Sequence, residues 1–306
     1  MTHFCHIAPT DFLHEFVDGR PFHLLLAHLV EEDPLYTKWY YEHKQRNPDT
    51  MYILDNSAFE MYKQGRPMYP SDKLIEMGKQ VQADYIVLSD YPGEPSRKTI
   101  EAAVELAPQF REAGFGTFFV PQSKIGDLDD LISAYQWAVS EEGCQYVDYI
   151  GVSILGVPNG YGVERGNKLQ RFNSRWSFMR RLFRVGILDK MRYNAQKLHF
   201  LGMVDGPSEI ELVEAFLPYI DTWDSSAAVW AGLNGVSFDD SPTGLINGKF
   251  EEEVQFDYPC EYATSEDVDL AHKNISVIES YLSNDPITSL QRGATTAPGY
   301  PWHVRK

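Results

Sequence analysis

A compact apolar run followed by a stretch with helical spacing recurs seven times along this chain, and that alternation constrains the fold more than any other feature. The runs are His23–Val30, Met51–Leu54, Tyr85–Leu88, Thr117–Val120, Tyr149–Ile154, Leu198–Met203 and the lead-in to Asp221 at Phe216–Ile220. Apolar strands without alternation are buried on both faces, so the pattern predicts a parallel sheet covered by helices. Helices are expected from Pro34 with Asp33 as N-cap, from Ser71, and from Ser96 with Pro108 as a kink. Others are expected over Leu128–Val139, from Pro207, over Ser265–Leu282, and with Trp176, Met179, Phe183 and Ile187 facing inward. Pro158–Asn173 reads as a polar, Gly-rich loop. Seven clear strands and one weak one predict an α/β fold of the (β/α)8 TIM-like barrel class, with a doubly wound open sheet as the alternative. The weak strand is expected at Gly235–Phe238 or near Val254–Phe256. Residues 1–284 read as a single catalytic domain and 285–306 as a C-terminal tail or strap.

Composition narrows the class of partner. The chain has 306 residues, 43% of them apolar, enough for an ordinary core. No apolar run is long enough to span a bilayer, and the first residues lack a basic segment followed by an apolar one. Cys5, Cys144 and Cys260 are scattered and odd in number, so no disulfide framework is expected and a reducing, cytoplasmic setting is the default. The net charge of −17 disfavours general nucleic-acid binding but leaves local basic patches free to act. The sequence leaves open whether two copies pair as a homodimer.

In parallel α/β folds the chemistry gathers at the carboxyl ends of the strands. Those ends carry Asp55, Asp90, Gln122, Ser153 with Gly156, Gly202, and Asp221 with Asp224. Asp after a strand often caps the next helix, but the helices after Asp55 and Asp90 are expected to begin many residues later. Carboxylates around a mouth serve to bind a metal, to cleave a glycosidic bond, or to read the donor edge of a base. The histidines show neither H-x-H at a strand end nor H-E-x-x-H, and His3-x-Cys5-His6 reads as a flexible terminus, so no metal site is expected. Glycosidic chemistry or base recognition remains.

The strand ends, taken in order, resemble those of the tRNA-guanine transglycosylase superfamily, most closely the phage and bacterial branch that inserts 7-deazaguanines into DNA. Leu54-Asp55-Asn56-Ser57-Ala58-Phe59 is similar to the family's Asp-Ser-Gly-Gly-aromatic segment, and Ser89-Asp90-Tyr91-Pro92 to its base-recognising Asp. Val120-Pro121-Gln122 is similar to its Val-Gln-Gly turn, and Ile150 to Gly156 to its Gly-Gly-Leu-Ala-Val-Gly strand. Phe200-Leu201-Gly202-Met203 is similar to its Leu-Met-Gly segment, and Asp221-Thr222-Trp223-Asp224 to its Asp-Met-Phe-Asp. The resemblance spans residues 50–235 and implies exchange of guanine in a nucleic acid for a 7-deazaguanine base such as preQ0, without a cofactor. It implies Asp224 as nucleophile and Asp55 as general acid/base. Asp90 would read the base with help from Gln122, Gly156 and Gly202, and Phe59 with Leu201 or Met203 would sandwich the ring.

Two departures shift the expected substrate. Cys260 stands alone where the family's tRNA enzymes carry a Cys-rich zinc site, so the zinc subdomain is expected to be missing. The family's Thr-Arg-Asn segment has become Ala228 to Gly235, which moves weight from tRNA to DNA. Between 165 and 197 the acidic chain reverses sign: Arg165, Lys168, Arg171, Arg175, Arg180, Arg181, Arg184, Lys190, Arg192 and Lys197 face only Asp189. Arg175, Arg180, Arg181 and Arg184 are expected to track phosphates; a solvated helix face with Arg stems on apolar surface is the plainer reading. A nucleoside or glycoside hydrolase and a non-catalytic base-binding barrel are the alternatives to exchange. The expected location is the cytoplasm, the host's if the chain is phage-encoded.

Overall fold

The computed structural model describes residues 2–164, 166–204, 206–238 and 253–283. Eight parallel strands form one sheet in the order β1-β8-β7-β6-β5-β4-β3-β2: β1 His3–His6, β2 Phe22–Leu26, β3 Met51–Asp55, β4 Tyr85–Val87, β5 Gly116–Phe119, β6 Tyr149–Ser153, β7 Lys197–Leu201 and β8 Thr222–Ser225. Across the remaining seam, the Leu24 N–H of β2 donates to the Cys5 thiol of β1 at 3.2 Å. This is a (β/α)8 barrel. The helices that bear on the site are α1 Ala58–Gln64, after β3; α2 Gly156–Gly160, after β6; and α3 Lys168–Arg184, before β7. After β8 come α4 Ala227–Leu233 and α5 Ser265–Leu282.

The eighth strand is not where the sequence places it. Gly235–Phe238 and Val254–Phe256 form no strand; the missing one is His3–His6, paired His3↔Thr222 through His6↔Ser225. The N-terminal segment is therefore a built part of the barrel, with Cys5 and His6 each 1% exposed. Four residues with His at both ends carry no apolar run, and only the partner strand reveals them.

The lead-in to Asp221 also differs. Glu214–Tyr219 is a 3-10 helix containing Pro218, and β8 starts at Thr222. Asp221 thus lies at the amino end of β8, where it accepts from both the Leu198 N–H at 2.8 Å and the Arg192 guanidinium at 2.9 Å. It is no companion to Asp224 at the carboxyl mouth. The run from His23 likewise stops as a strand at Leu26, and a helix, Ala27–Glu32, begins at once.

Side chains fill the barrel in alternation. Cys5, Phe22, Leu24, Ile53, Val87, Phe118 and Tyr149 pack together inside it, apart from the larger core between strands and helices. Outside, Trp223 packs on Phe200 with ring centroids 4.7 Å apart. α4 and α5 meet at backbone distance: a Cβ on Gly232 would lie 2.2 Å from Ala271 Cα, so only glycine permits this contact.

Pro158–Asn173 is less of a loop than expected, since the end of α2 and the start of α3 fall within it. The buried stripe of α3 is Ser174, Arg175, Phe178, Met179 and Leu182, so Phe183 faces out at 48% exposure and Ile187 belongs to the next helix. The tail expected at 285–306 lies outside the described residues.

Candidate active site

The carboxyl ends of β3, β4 and β8 bring three acids to one mouth. Asp224 points into the barrel from β8 and is 5% exposed. Its Oδ1 accepts from His199 Nε2 at 2.9 Å and from the Gly202 N–H at 3.0 Å. Gly202, just past β7, takes φ +66°, and Ile154 side-chain atoms lie 3.2 Å from where a Cβ would sit. Its carbonyl is held by Arg175 Nη1 at 3.0 Å and Trp223 Nε1 at 2.9 Å. The Gly202 N–H belongs to the Leu201–Gly202 peptide, whose Leu201 carbonyl accepts from Arg175 Nη2 at 3.3 Å and from the Ile154 N–H at 3.2 Å. With that carbonyl fixed on one side, the peptide aims its N–H at Asp224. The reading of Gly202 as a base contact gains a second role, as a backbone donor to the proposed nucleophile.

Asp55 ends β3, and the next helix begins at Ala58, not many residues later as the sequence suggests; the Asp55 Oδ2 accepts the Ser57 N–H in the intervening turn at 3.0 Å. Ser57 is held at φ +55°, an uncommon conformation for a side-chain-bearing residue. Its hydroxyl accepts the His28 N–H at 3.1 Å and lies 2.9 Å from His28 Nδ1, which braces the turn. Burial pushes the Asp55 carboxyl well above its ordinary range, and the negative charges of Glu60, Asp90 and Asp224 add to the shift. Glu60 on α1 is raised as well, chiefly by burial. Charges on Asp90 and Asp224 are among the lesser causes of the Asp55 shift, in keeping with three acids at the same end of the sheet.

Asp90 is clamped by amides. Its Oδ1 accepts from Asn56 Nδ2 at 2.8 Å and its Oδ2 from Gln122 Nε2 at 2.6 Å. Burial pushes its carboxyl up to about 6, opposed by those two donors. Gln122 is 1% exposed, and its Oε1 has no hydrogen-bond partner among the described residues. A Cβ on Gly156 would lie 2.7 Å from that oxygen, so glycine there makes room for Gln122. The Gly156 N–H is itself spent on the Ser153 hydroxyl at 3.0 Å, so this amide is not aimed at a ligand.

The Asp90 shift has a measurable consequence. Folding raises the carboxyl from its ordinary 3.8 to about 6, so the fold favours the protonated form. The resulting stabilisation is complete below about pH 4 and is lost as pH rises through about 6, leaving a buried charge whose cost is on the order of 1–3 kcal/mol. Asp90→Asn mimics the neutral acid. Urea unfolding should find it more stable than the parent at pH 8 by that order, with the gain gone at pH 4; equal gains at both values would contradict the assigned cause.

The remaining expected residues divide. Leu201 packs against the barrel interior at the end of β7, while Met203 joins the larger core and is 8% exposed, so Leu201 is the better floor for a ligand. Phe59 stands on α1 beside the mouth, 37% exposed. Among the described residues no three His, Cys, Asp or Glu side chains are placed to hold a metal ion. No helix among them is long and apolar enough to cross a membrane.

Arg175 does not reach solvent. Its side chain is fully buried, paired with buried Glu209 at 2.8 Å, and stacked 4.6 Å from the centre of the Phe200 ring. It cannot meet a phosphate, and the expectation that it binds nucleic acid is corrected. Arg180 lies 4.6 Å over Trp176, Arg181 pairs with Asp129 at 2.6 Å, and Arg184 is exposed. Arg165 lies outside the described residues. A cleft of about 500 Å³ opens at the opposite end of the barrel, lined by Asp84, Asp148 and Lys197 among others. There Asp84 is engaged by Lys44 and the Tyr52 N–H, and Asp148 by Arg111 and the Thr117 N–H, so these carboxylates tie helices to strand starts.

Fold and site together define a (β/α)8 barrel with carboxyl groups gathered at the end where such barrels place their chemistry. No protein-family model matches the chain, and no curated protein does. Among solved structures it is similar to one described as a fructose-1,6-biphosphate aldolase from Coccidioides immitis, at 11% identity and a TM-score of 0.49, over 88% of this chain and 84% of that one. It is also similar to the tryptophan synthase alpha chain from Legionella pneumophila, at 10% identity and a TM-score of 0.48, over 93% and 92% of the two chains. Neither is a transglycosylase.

Sequence reasoning passed over His199, Asn56 as a ligand of Asp90, and the Ser57–His28 brace. A histidine in the middle of an otherwise apolar strand was the available signal for the first.

Proposed function

We propose that this barrel is a base-exchange transglycosylase, a pentosyltransferase that replaces guanine in a nucleic acid, DNA in preference to tRNA, by a 7-deazaguanine. One observation carries the reading: Asp224, with Oδ1 engaged by two N–H donors, shares a mouth with Asp55, whose carboxyl burial raises well above its ordinary range and so biases toward the protonated form. A nucleophilic carboxylate beside a protonated one suits displacement at an anomeric carbon. Asp224 Oδ2 bonds to that carbon as the bond to the base breaks, and the departing nitrogen takes the Asp55 proton. The incoming base then returns a proton to Asp55 while its nitrogen displaces Asp224. Asp90 and the unmatched Gln122 Oε1 offer acceptors to N–H groups of the base, Leu201 and Phe59 offer apolar faces, and the ordered motifs supply the choice of base.

The test is exchange of labelled guanine into DNA or tRNA, followed by the same assay with a 7-deazaguanine. Incorporation into one polymer supports the proposal and names the substrate; free sugar instead indicates a hydrolase, and binding without turnover a non-catalytic barrel.

The proposed polymer grip is now Arg180, Arg181 and Arg184. Replacing all three by Ala should leave the barrel folded, weaken DNA binding, and lower the slope of log affinity against log salt by roughly 2 to 3, about 0.9 per lost phosphate contact. An unchanged slope would assign these residues to a solvated helix face.

A further inference from the structure

His199 approaches Asp224 from inside the barrel. It sits in the middle of β7, fully buried, with its ring edge-on to Phe22 and Phe118 at centroid distances of 5.8 and 5.3 Å. Nδ1 lies 2.7 Å from Thr222 Oγ1 and Nε2 lies 2.9 Å from Asp224 Oδ1. A carboxylate oxygen only accepts, so the bond to Asp224 places a proton on Nε2; in a neutral ring Nδ1 is then bare and accepts the Thr222 hydroxyl. Two other buried histidines, His6 and His23, have neither ring nitrogen hydrogen-bonded among the described residues. Both nitrogens of His199 are matched, and the ring is enclosed, with Phe22 and Phe118 edge-on to it.

We propose that His199 is a positioning residue: its Nε2–H, with the Gly202 N–H, fixes Asp224 Oδ1 and so presents Oδ2 to the anomeric carbon. This rests on the reading of Asp224 as nucleophile. In the first displacement Oδ2 gives up negative charge to the new bond. In the second, the bond from carbon to Oδ2 breaks and its electron pair returns to the carboxylate, shared with Oδ1. A donor at Oδ1 therefore assists departure of Asp224 more than its attack. Without that donor the second step slows most, and the covalent enzyme–polymer adduct accumulates.

His199→Met keeps comparable bulk and removes the donor; His199→Gln returns an N–H near the Nε2 position. His199→Met should lower exchange roughly a hundred-fold, the scale of one lost preorganised donor, while the steady-state fraction of denaturation-resistant adduct rises. His199→Gln should recover most of the rate. Independently of activity, the imidazole nitrogen-15 spectrum of the parent protein should show His199 protonated on Nε2, with the resonance assigned by its loss in His199→Gln. An active parent whose His199 proton sits on Nδ1, whose His199→Met variant keeps pace, or whose two variants are equally impaired overturns the proposal. A parent that forms neither adduct nor exchanged polymer overturns the nucleophile reading and this proposal with it.

Discussion

Asp224→Asn should leave a folded protein that still binds free base, forms no covalent adduct with the polymer, and exchanges no guanine. An amide nearly matches a carboxylate in size but is a far poorer nucleophile, so the covalent route closes outright and the rate falls by at least about four orders of magnitude. The amide can keep its oxygen toward His199 Nε2 and the Gly202 N–H, which preserves the packing around it. The decisive measurement is an adduct that survives denaturation and appears with release of guanine in the parent alone. Its persistence in Asp224→Asn would move the nucleophile elsewhere, and Asp221 is no substitute, since it lies at the other end of β8 and is engaged by Arg192. Asp55→Asn, which removes the proton donor, should cost less, about a hundred-fold to ten-thousand-fold.

The second large effect is on stability. Arg175→Met should destabilise the fold by about 3–5 kcal/mol, because it leaves the buried Glu209 carboxylate without its counter-charge. The same change also strips donors from the carbonyls of Val152, Leu201 and Gly202. Arg175→Met combined with Glu209→Leu should recover part of the loss, since no lone charge remains. Chemical denaturation of the two variants distinguishes this from a surface role, under which Arg175→Met would be neutral and would act only on DNA binding. Because Gly202 is held by Arg175 and in turn donates to Asp224, the surviving fraction of Arg175→Met should also turn over slowly.

What the sequence made legible follows from where the polar residues sit. Strands β2 to β7 read as apolar runs because helices cover one face and the packed barrel the other. Asp55, Asp90 and Gln122 stood out because the chain delivers them as each strand ends. The sequence places β8 five to six residues too early, because its inward residues Thr222 and Asp224 are polar while the apolar stretch before it belongs to a 3-10 helix. The same inward polarity concealed His199, which belongs to the site through contacts with β8 and not through its own neighbours. Arg175 misled in the opposite direction: ten basic residues in one stretch imply a surface, and only Glu209, thirty-four positions on, explains why one of them is interior.

The pairing of β1 with β8 also sets an order on assembly. His3 meets Thr222, about 220 residues along the chain, so the seam that includes β1 is closed by the strand pairing most distant in sequence. Loop closure over such a span costs chain entropy before any contact returns it. During synthesis the segment Phe4-Cys5-His6 waits, apolar and without its strand partner, until the whole of the remaining sheet has emerged. A barrel lacking that final stave has two open strand edges, on β2 and on β8, each able to accept a strand from another chain. Asp224, the proposed nucleophile, stands on one of those edges, so completing the sheet and completing the candidate site are the same late event.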